Sequence, residues 1–336
     1  ELGLVYGLSA ILQSPYFLFR VELGEDDAEG GRRRFSNHEL ASRMSFLLWN
    51  TTPDAALLAA ADAGALISDE GLQSQVDRMM ADPRFEDGVR AFFTDMWALY
   101  ELDDLTKDPT VFTHMSPEVG PSAREETLLG VVDNVVHSDG DYREMFTTQR
   151  TFLNRKLASI YGVRAPEREG FGEAFLEEGG GRRGILGQVS FLALQSHAVN
   201  SSATLRGKFV REVLLCDYIP PPPSDVDTSI PEVSADAVTL RERVAVHLED
   251  AYCASCHQLV DPIGLGFEQF DGLGHFRTLE QGAKIDPSGE LDGAGFDAAW
   301  GLTGHIAEHE GLGECLAQTL LAYASGHSIT QGEDAS

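Results

Sequence analysis

The feature that most constrains this chain is a five-residue run in its last third, Cys253-Ala254-Ser255-Cys256-His257. Two thiols at C-x-x-C spacing, followed at once by a histidine, are the pattern that attaches a c-type haem. The two sulfurs can form thioethers with the two vinyl groups of one porphyrin, and the imidazole of His257 then becomes an axial iron ligand. The run therefore predicts one covalent haem c held by Cys253, Cys256 and His257.

Two other interpretations of this run are weaker. A zinc site needs four ligands, usually from a second C-x-x-C or from a histidine pair, and only His305 with His309 has such a spacing here. A thioredoxin-like dithiol should follow a strand and open a helix. The segment before the motif, residues 235–250, instead has a helical pattern that Ser234 can cap. We therefore favour haem over zinc and over a redox dithiol.

Two further cysteines, Cys216 and Cys315, lie outside the motif. Haem c is attached outside the cytoplasmic membrane, where disulfides form and persist, so we expect a periplasmic or cell-surface location. The pair is then a candidate disulfide, closing a loop that contains the haem motif. Such a bridge contributes about 3–5 kcal/mol if unstrained, by restricting the unfolded chain. Two separately buried thiols are the alternative that the sequence leaves open.

Composition excludes several classes of function. With 25 basic and 54 acidic residues among 336, the formal charge is −29 at pH 7. Nucleic acid or anionic lipid would need a basic face, so neither is an expected partner. The charge favours solubility and cationic partners, although a solvated acidic surface is the simpler interpretation. The sequence has no apolar run of membrane-spanning length. It also has no phosphate-binding glycine loop, no H-E-x-x-H and no nucleophile elbow, so it defines no substrate.

The fold is expected to be mainly α-helical, because apolar residues recur at helical spacing and alternating strand patterns are few. A capping box at Ser36–Glu39 predicts the start of one helix. Four consecutive prolines, 220–223, favour a stiff spacer. After the haem motif we expect a turn at Asp261–Gly264 and a Gly/Asp-rich loop over 271–295. The chain begins at Glu1 in a helical pattern without a signal peptide, so we expect its start to be processed or incomplete, and its end looks cut as well.

Several runs of residues, in one order, resemble the planctomycete-type cytochrome C proteins, which are large multidomain proteins of planctomycetes and myxobacteria. The haem motif is followed by the family-like runs Asp261–Gly264 and Phe267–Gly274, and it is preceded by Ser201–Val210. One departure is Ala203, where the family usually has proline. The resemblance extends upstream to helical runs that look like earlier domains of the family: Ile11–Leu18, Glu39–Trp49 and Phe152–Gly162.

This resemblance implies a division into three segments. Residues 1–35 look like the end of a preceding helical domain, and residues 36–165 look like a helical domain. Residues 166–336 look like a smaller cytochrome-c-like haem domain with long Gly/Asp-rich loops, and the proline spacer 220–223 lies within it.

The second axial ligand of the iron is left open by the sequence. Small cytochrome c domains usually supply a methionine downstream, but the last methionine here is Met145. A histidine, a methionine from the first domain, or an open position remain. His197 is the preferred metal ligand, because it lies in the family-like loop beside Ser201 and Arg206. The other nearby histidines are more often surface or satisfied groups: His275, His305, His309 and His327.

Three supporting roles are also expected. A backbone carbonyl of Asp261–Gly264 accepts a hydrogen bond from the second ring nitrogen of His257 and fixes its orientation. Arg206 and Lys208 are candidate partners of the haem propionates, with ordinary helix-surface charge as an equal alternative. A solvated turn is favoured over a calcium site in an acidic loop whose spacing departs from that of an EF-hand: Asp286, Ser288, Glu290 and Asp292.

The sequence therefore predicts a c-type cytochrome that transfers single electrons through one haem, with a redox partner protein and a place in a larger assembly. A haem oxidoreductase with an open iron site that acts on a small molecule is the first alternative. A structural or assembly protein with a covalently attached haem is the second. Spin state and carbon monoxide binding separate the first two, so whether the chain is an enzyme stays open at this level.

Overall fold

A computed structural model describes residues 2–26, 33–220, 233–234, 237–248 and 251–328. The protein is mainly helical, which confirms the predicted class. It separates into two compact units, residues 1–88 and residues 89–336. Within the described ranges, no helix combines the length and the apolar character that crossing a membrane requires.

The first unit is built around three helices whose apolar faces enclose Trp49, Leu57 and Met79: α3 (Asn37–Trp49), α4 (Ala55–Asp62) and α5 (Asp69–Met80). Its α3 begins at the predicted capping box: Ser36 Oγ accepts from the Glu39 amide, and the Glu39 carboxylate accepts from the Ser36 amide. The elements of this unit are α1 (Leu2–Leu12), α2 (Pro15–Leu18), an antiparallel pair β1 (Glu25–Asp26) and β2 (Arg33–Arg34), α3 (Asn37–Trp49), α4 (Ala55–Asp62), a 3₁₀ turn (Ala65–Ile67) and α5 (Asp69–Met80).

Among its described residues, the second unit combines helices with three short antiparallel strand pairs. Helix α6 (Phe85–Met96) crosses the division between the units. The first half of the unit contains a 3₁₀ helix (Leu99–Asp104), α7 (Val119–Val132) with a π-helical extension (Asp133–His137), a 3₁₀ helix (Tyr142–Phe146), β3 (Arg150–Leu153), α8 (Arg155–Tyr161), β4 (Gly172–Phe175), two 3₁₀ turns (Glu178–Gly180 and Ile185–Gly187) and α9 (Val189–Leu194).

The second half of the unit contains the C-x-x-C-H motif, on helix α12 (Ala251–Leu265). Its elements are α10 (Ala203–Phe209) with a π-helical extension (Val210–Leu214), α11 (Leu240–Val244) with a 3₁₀ turn (Ala245–Leu248), α12 (Ala251–Leu265), the hairpins β5 (Leu279–Glu280) with β6 (Ala283–Lys284) and β7 (Gly289–Leu291) with β8 (Ala294–Phe296), α13 (Ala299–Glu308) and α14 (Glu310–Ser325). The Gly/Asp-rich stretch 271–295 thus contains short strands as well as loops.

The predicted division at residue 165 is bridged in the structure. Strand β3 pairs with β4 across it, and the hydroxyl of Thr127 contacts the side chains of Gln188 and Ser190. Tyr161 accepts a hydrogen bond from the amide of Val189 at 3.2 Å. These buried contacts join 36–165 to the following segment, and the division into compact units falls at residue 88. The three-segment division from the family resemblance stays a prediction.

The predicted disulfide forms between Cys216 and Cys315, 99 residues apart, and the loop that it closes contains the C-x-x-C-H motif. Of the proline spacer, Pro220 is described: its carbonyl oxygen lies 3.8 Å from Cys256 Sγ. Pro221, Pro222 and Pro223 lie outside the described residues.

The helix predicted for 235–250 begins later than expected. Thr239 caps α11 in a second capping box, in which Thr239 and Glu242 exchange hydrogen bonds between side chain and backbone. The Ser234 hydroxyl accepts from the Ala237 amide instead. The reciprocal pair satisfies two otherwise orphaned amides, whereas Ser234 satisfies one, which is why the helix starts at Leu240. Residues 235, 236, 249 and 250 lie outside the described part of the chain.

Candidate haem site

The motif occupies the first turns of α12. Cys253 and Cys256 are three residues apart, and His257 is four residues after Cys253, so all three side chains lie on neighbouring positions of one helix face. All three residues are half-buried, and neither cysteine forms a disulfide. Two thiols and an imidazole are therefore presented together, which is the donor set that attachment and ligation of one haem require.

His257 is oriented by a carboxylate. Its Nδ1 lies 2.9 Å from Asp261 Oδ2, one helical turn further on. Asp261 is buried, and its other oxygen accepts a hydrogen bond from the hydroxyl of Thr204 at 2.8 Å. The hydrogen bond to Asp261 raises the pKa of His257 against the opposing effect of burial. Because Nδ1 is engaged, Nε2 is the ring nitrogen left for a metal.

The prediction of a turn at Asp261–Gly264 is wrong. Helix α12 continues through Pro262 to Leu265, and the partner of His257 is a side chain rather than a backbone carbonyl. The physical reason is helix geometry, since side chains four residues apart meet on one face. The expected hydrogen bond that fixes the ring of His257 is present, but its acceptor is the carboxylate of Asp261.

Helices α10 and α12 cross at glycine contacts. A Cβ added at Gly207 would overlap the carbonyl group of Val260, and a Cβ at Gly264 would overlap that of Ala203. The two backbones thus approach more closely than side chains would allow. Ala203 is the first residue of α10, a position where proline is also favourable, so the departure from the family pattern needs no change of backbone.

Arg206 lies in the core beside this crossing. Its guanidinium is fully buried and donates to the carbonyl oxygens of Phe267, Phe270 and Asp271 at 2.7–2.9 Å, and to that of Leu192 at 3.1 Å. Burial lowers its pKa to about 10. These contacts do not favour the predicted role at a haem propionate. Arg206 instead organises the turn that follows α12, so two family-like runs of the sequence meet here.

Lys208 lies on the helix surface, which agrees with the alternative prediction of ordinary surface charge. Its Nζ lies 3.6 Å from Glu212 Oε1, four residues along the helix, and its side chain is 39% exposed. Such a pair is ordinary helix-surface charge and contributes a few tenths of a kcal/mol.

His197 lies on an exposed tight loop that is closed by a bridge between Ser196 and Ser201. The buried ammonium of Lys107 donates to the carbonyl oxygens of Ser196 and His197, both at 2.8 Å. Burial and the charge of Lys107 lower the pKa of His197. The fixed part of this loop is therefore its backbone, and the imidazole of His197 is on the surface.

The remaining candidates have other contacts. His275 stacks on His114 with ring centres 6.2 Å apart, His305 lies 3.1 Å from the Gly295 carbonyl, and His309 pairs with Asp292 at 3.0 Å. Two members of the acidic loop face basic groups: Asp286 lies beside Arg241, and Asp292 beside Arg211. His327 lies near the end of the described chain, with Nδ1 2.9 Å from the carbonyl of Ser328.

One residue was missed by the sequence reasoning. The ring of His247 lies 4.5 Å from that of His257, and the planes are inclined by 50°. Its Nδ1 is buried and has no hydrogen-bond partner among the described residues. Burial, followed by the positive charge of His257, lowers the pKa of His247 and so favours the neutral imidazole. The available signal was its position ten residues before His257, on the element that precedes α12.

Two family models match the chain in succession. Residues 35–163 match PSD4, a protein of unknown function (DUF1592), and residues 182–280 match PSCyt3, a protein of unknown function (DUF1588). Together they cover about two thirds of the chain, and the C-x-x-C-H run lies inside the second range. Both are domains of planctomycete cytochrome-c-like families, which is consistent with the resemblance in the sequence. No curated protein and no solved structure matches the chain.

Proposed function

We propose that this protein is a c-type cytochrome that carries one covalent haem and transfers single electrons. The observation that carries the proposal is the donor set of α12: two thiols and an imidazole on one face, with Nδ1 of His257 held by Asp261. The matches to planctomycete cytochrome-c-like domains support it. Cys253 and Cys256 would hold the porphyrin, and His257 would be the axial ligand.

The bound haem would supply a one-electron centre. Attachment needs nothing from the protein but its thiols. Each S–H would add across one vinyl C=C bond of the porphyrin, so that sulfur would bond to one carbon and the hydrogen to the other. No atom is lost and no net oxidation occurs, so the mass of the product is that of the chain plus one haem.

Asp261 has a positioning role at this site. Its carboxylate accepts the Nδ1 proton of His257, which fixes the tautomer and the orientation of the ring. A carboxylate partner also makes the imidazole a stronger electron donor, which lowers the reduction potential of the metal that it binds. Thr204 holds the other carboxylate oxygen, so the orientation of His257 is tied to α10.

The proposal places the protein in the periplasm or at the cell surface, because haem c is attached outside the cytoplasmic membrane. The Cys216–Cys315 disulfide fits an oxidising compartment. The partner would be another redox protein. The net charge of −29 favours one with a basic contact surface and disfavours nucleic acid.

The test is maturation of the whole chain by a periplasmic haem c ligation system. We expect an intact mass equal to the chain plus one haem and a c-type pyridine haemochrome spectrum. The double substitution Cys253→Ala and Cys256→Ala should abolish covalent haem. Ser255→Ala changes the exposed residue between the two thiols and should leave attachment intact. Wild-type protein with the bare-chain mass after maturation contradicts the proposal.

A further inference from the structure

We infer that His247 is the second axial ligand of the haem, which makes the site bis-histidine; this inference deepens the proposed function and rests on it. The residue stands on the 3₁₀ turn Ala245–Leu248, between α11 and α12. It contacts the motif histidine directly, with ring centres 4.5 Å apart.

The first argument is the orphaned nitrogen of His247. A buried imidazole nitrogen without a partner loses the hydrogen bond that it would make to water, so buried ring nitrogens are normally satisfied. His247 Nδ1 has no partner among the described residues. The candidates His275, His305 and His309 have other contacts: a stacked ring, a carbonyl oxygen and a carboxylate respectively.

The second argument is the local donor geometry. One ligand atom from each of His247, His257 and Asp261 lies within 4.8 Å of the others. Both oxygens of Asp261 are already engaged, one by Thr204 and one by His257, so the carboxylate orients rather than ligates. Two imidazoles therefore remain as donors, and they are the number that completes the axial coordination of a haem iron.

The distance between the two rings needs only a small change. Two imidazoles on opposite sides of one metal, with bonds of about 2.0–2.1 Å, have ring centres about 6 Å apart. Starting from 4.5 Å, the rings need to separate by about 1–2 Å to admit a metal between them. His247 stands on a single turn of helix, so this adjustment disturbs few backbone hydrogen bonds.

The consequence is a closed, low-spin site. With both axial positions filled by imidazole, the iron has no open position for a small ligand. Bis-histidine ligation also gives a lower potential than a histidine–methionine pair. Electron transfer, rather than chemistry on a bound substrate, is the activity that such a site supports.

The test uses the matured full-length protein and its variants, compared by intact mass, electron paramagnetic resonance and carbon monoxide titration. The wild type should be low-spin and unresponsive to carbon monoxide. His247→Ala should keep the haem mass, become high-spin and bind carbon monoxide, and added imidazole should restore the low-spin signal. His197→Ala, at the exposed histidine favoured by the sequence, is the matched control and should behave as wild type.

A second variant guards against loss of folding in His247→Ala. His247→Met supplies a thioether in place of the imidazole and should stay low-spin with a higher potential. A low-spin His247→Ala variant, a high-spin wild type, or loss of the low-spin signal in His197→Ala overturns the inference while the haem mass is still present. Absence of the haem mass overturns the proposed function, and this inference with it.

Discussion

The two ends of helix α12 differ in what their polar groups do. At the start, Cys253, Cys256 and His257 are half-buried, and the neighbouring His247 has a buried nitrogen with no partner in the described part of the chain. Towards the end, the helix packs against α10 at glycine contacts, and the turn that follows is fixed by the guanidinium of Arg206. One end presents donors to a ligand, and at the other end the buried guanidinium donates to backbone carbonyl oxygens.

This difference suggests how the donors are kept in place. Side chains that bind a cofactor must hold their geometry before the cofactor arrives, and they do so best on a rigid element. The packed end of α12 supplies that rigidity. Asp261 connects the two ends, because it is buried against Thr204 of α10 and also holds His257.

The largest expected effect is at Arg206. Arg206→Met keeps the length of the side chain but leaves the carbonyl oxygens of Phe267, Phe270 and Asp271 without their donor. Buried acceptors that lose a charged donor are costly, so we expect a loss of about 4 kcal/mol in the free energy of unfolding. Urea titration followed by circular dichroism measures it.

Lys208→Met is the matched control for this prediction, since it removes a positive charge from the exposed face of the same helix. Its expected effect is below about 0.5 kcal/mol. If the two variants lost equal stability, the packed end of α12 would not depend on the buried guanidinium.

The second prediction concerns Glu126, which extends the comparison to another buried polar group. Its carboxylate accepts hydrogen bonds from Thr151 and Tyr161, and burial raises its pKa to about 7 despite them. The folded state then holds a proton that the unfolded state releases above about pH 4.5, so stability falls as pH rises from there to 7. The loss amounts to about 3 kcal/mol.

Glu126→Gln should remove this part of the pH dependence, because the amide does not titrate. Unfolding free energies of both proteins at about pH 4.5 and about pH 8 measure the difference. Glu125→Gln, at the half-buried neighbour that pairs with Arg90, should keep the wild-type slope. An unchanged slope in Glu126→Gln would mean that the buried carboxyl is not the titrating group.

The sequence predicted the local features well and the through-space ones poorly. The motif on α12 and the capping box at Ser36 depend on residues a few positions apart, and both are readable from spacing. For Arg206 the sequence suggests a haem propionate or the helix surface, because three of its four carbonyl partners lie more than 60 residues away and leave no signal in the local spacing. A turn is predicted over Asp261–Gly264, but the helix continues through Pro262 to Leu265, where Gly264 packs closely against the backbone of α10.

The third prediction tests that crossing of α10 and α12. Gly264→Ala places a methyl group against the carbonyl of Ala203, so the two helices must separate, at a cost of about 2 kcal/mol. Gly130→Ala in α7 is the control, because nothing lies within 4 Å of its added Cβ. That change should be neutral or stabilise by up to about 1 kcal/mol, as alanine favours the helix. Thermal unfolding of the pair measures both, and equal effects would show that the crossing tolerates a side chain.

The smallest expected effect is at Asp261, which connects the two ends of α12. Asp261→Asn keeps a hydrogen-bond acceptor near His257 but removes the negative charge that strengthens the imidazole as a donor. In the matured protein we expect the reduction potential to rise by about 40 mV, the equivalent of about 1 kcal/mol for one electron. Redox titration measures the shift.

Thr204→Val removes the other hydrogen bond of Asp261 and leaves its charge in place, so the reduction potential of this variant should move by less than half as much. If Thr204→Val shifted the potential as far as Asp261→Asn, the position of the Asp261 carboxylate would matter more than its charge. The packing of α12 against α10 would then set the potential by fixing the orientation of His257.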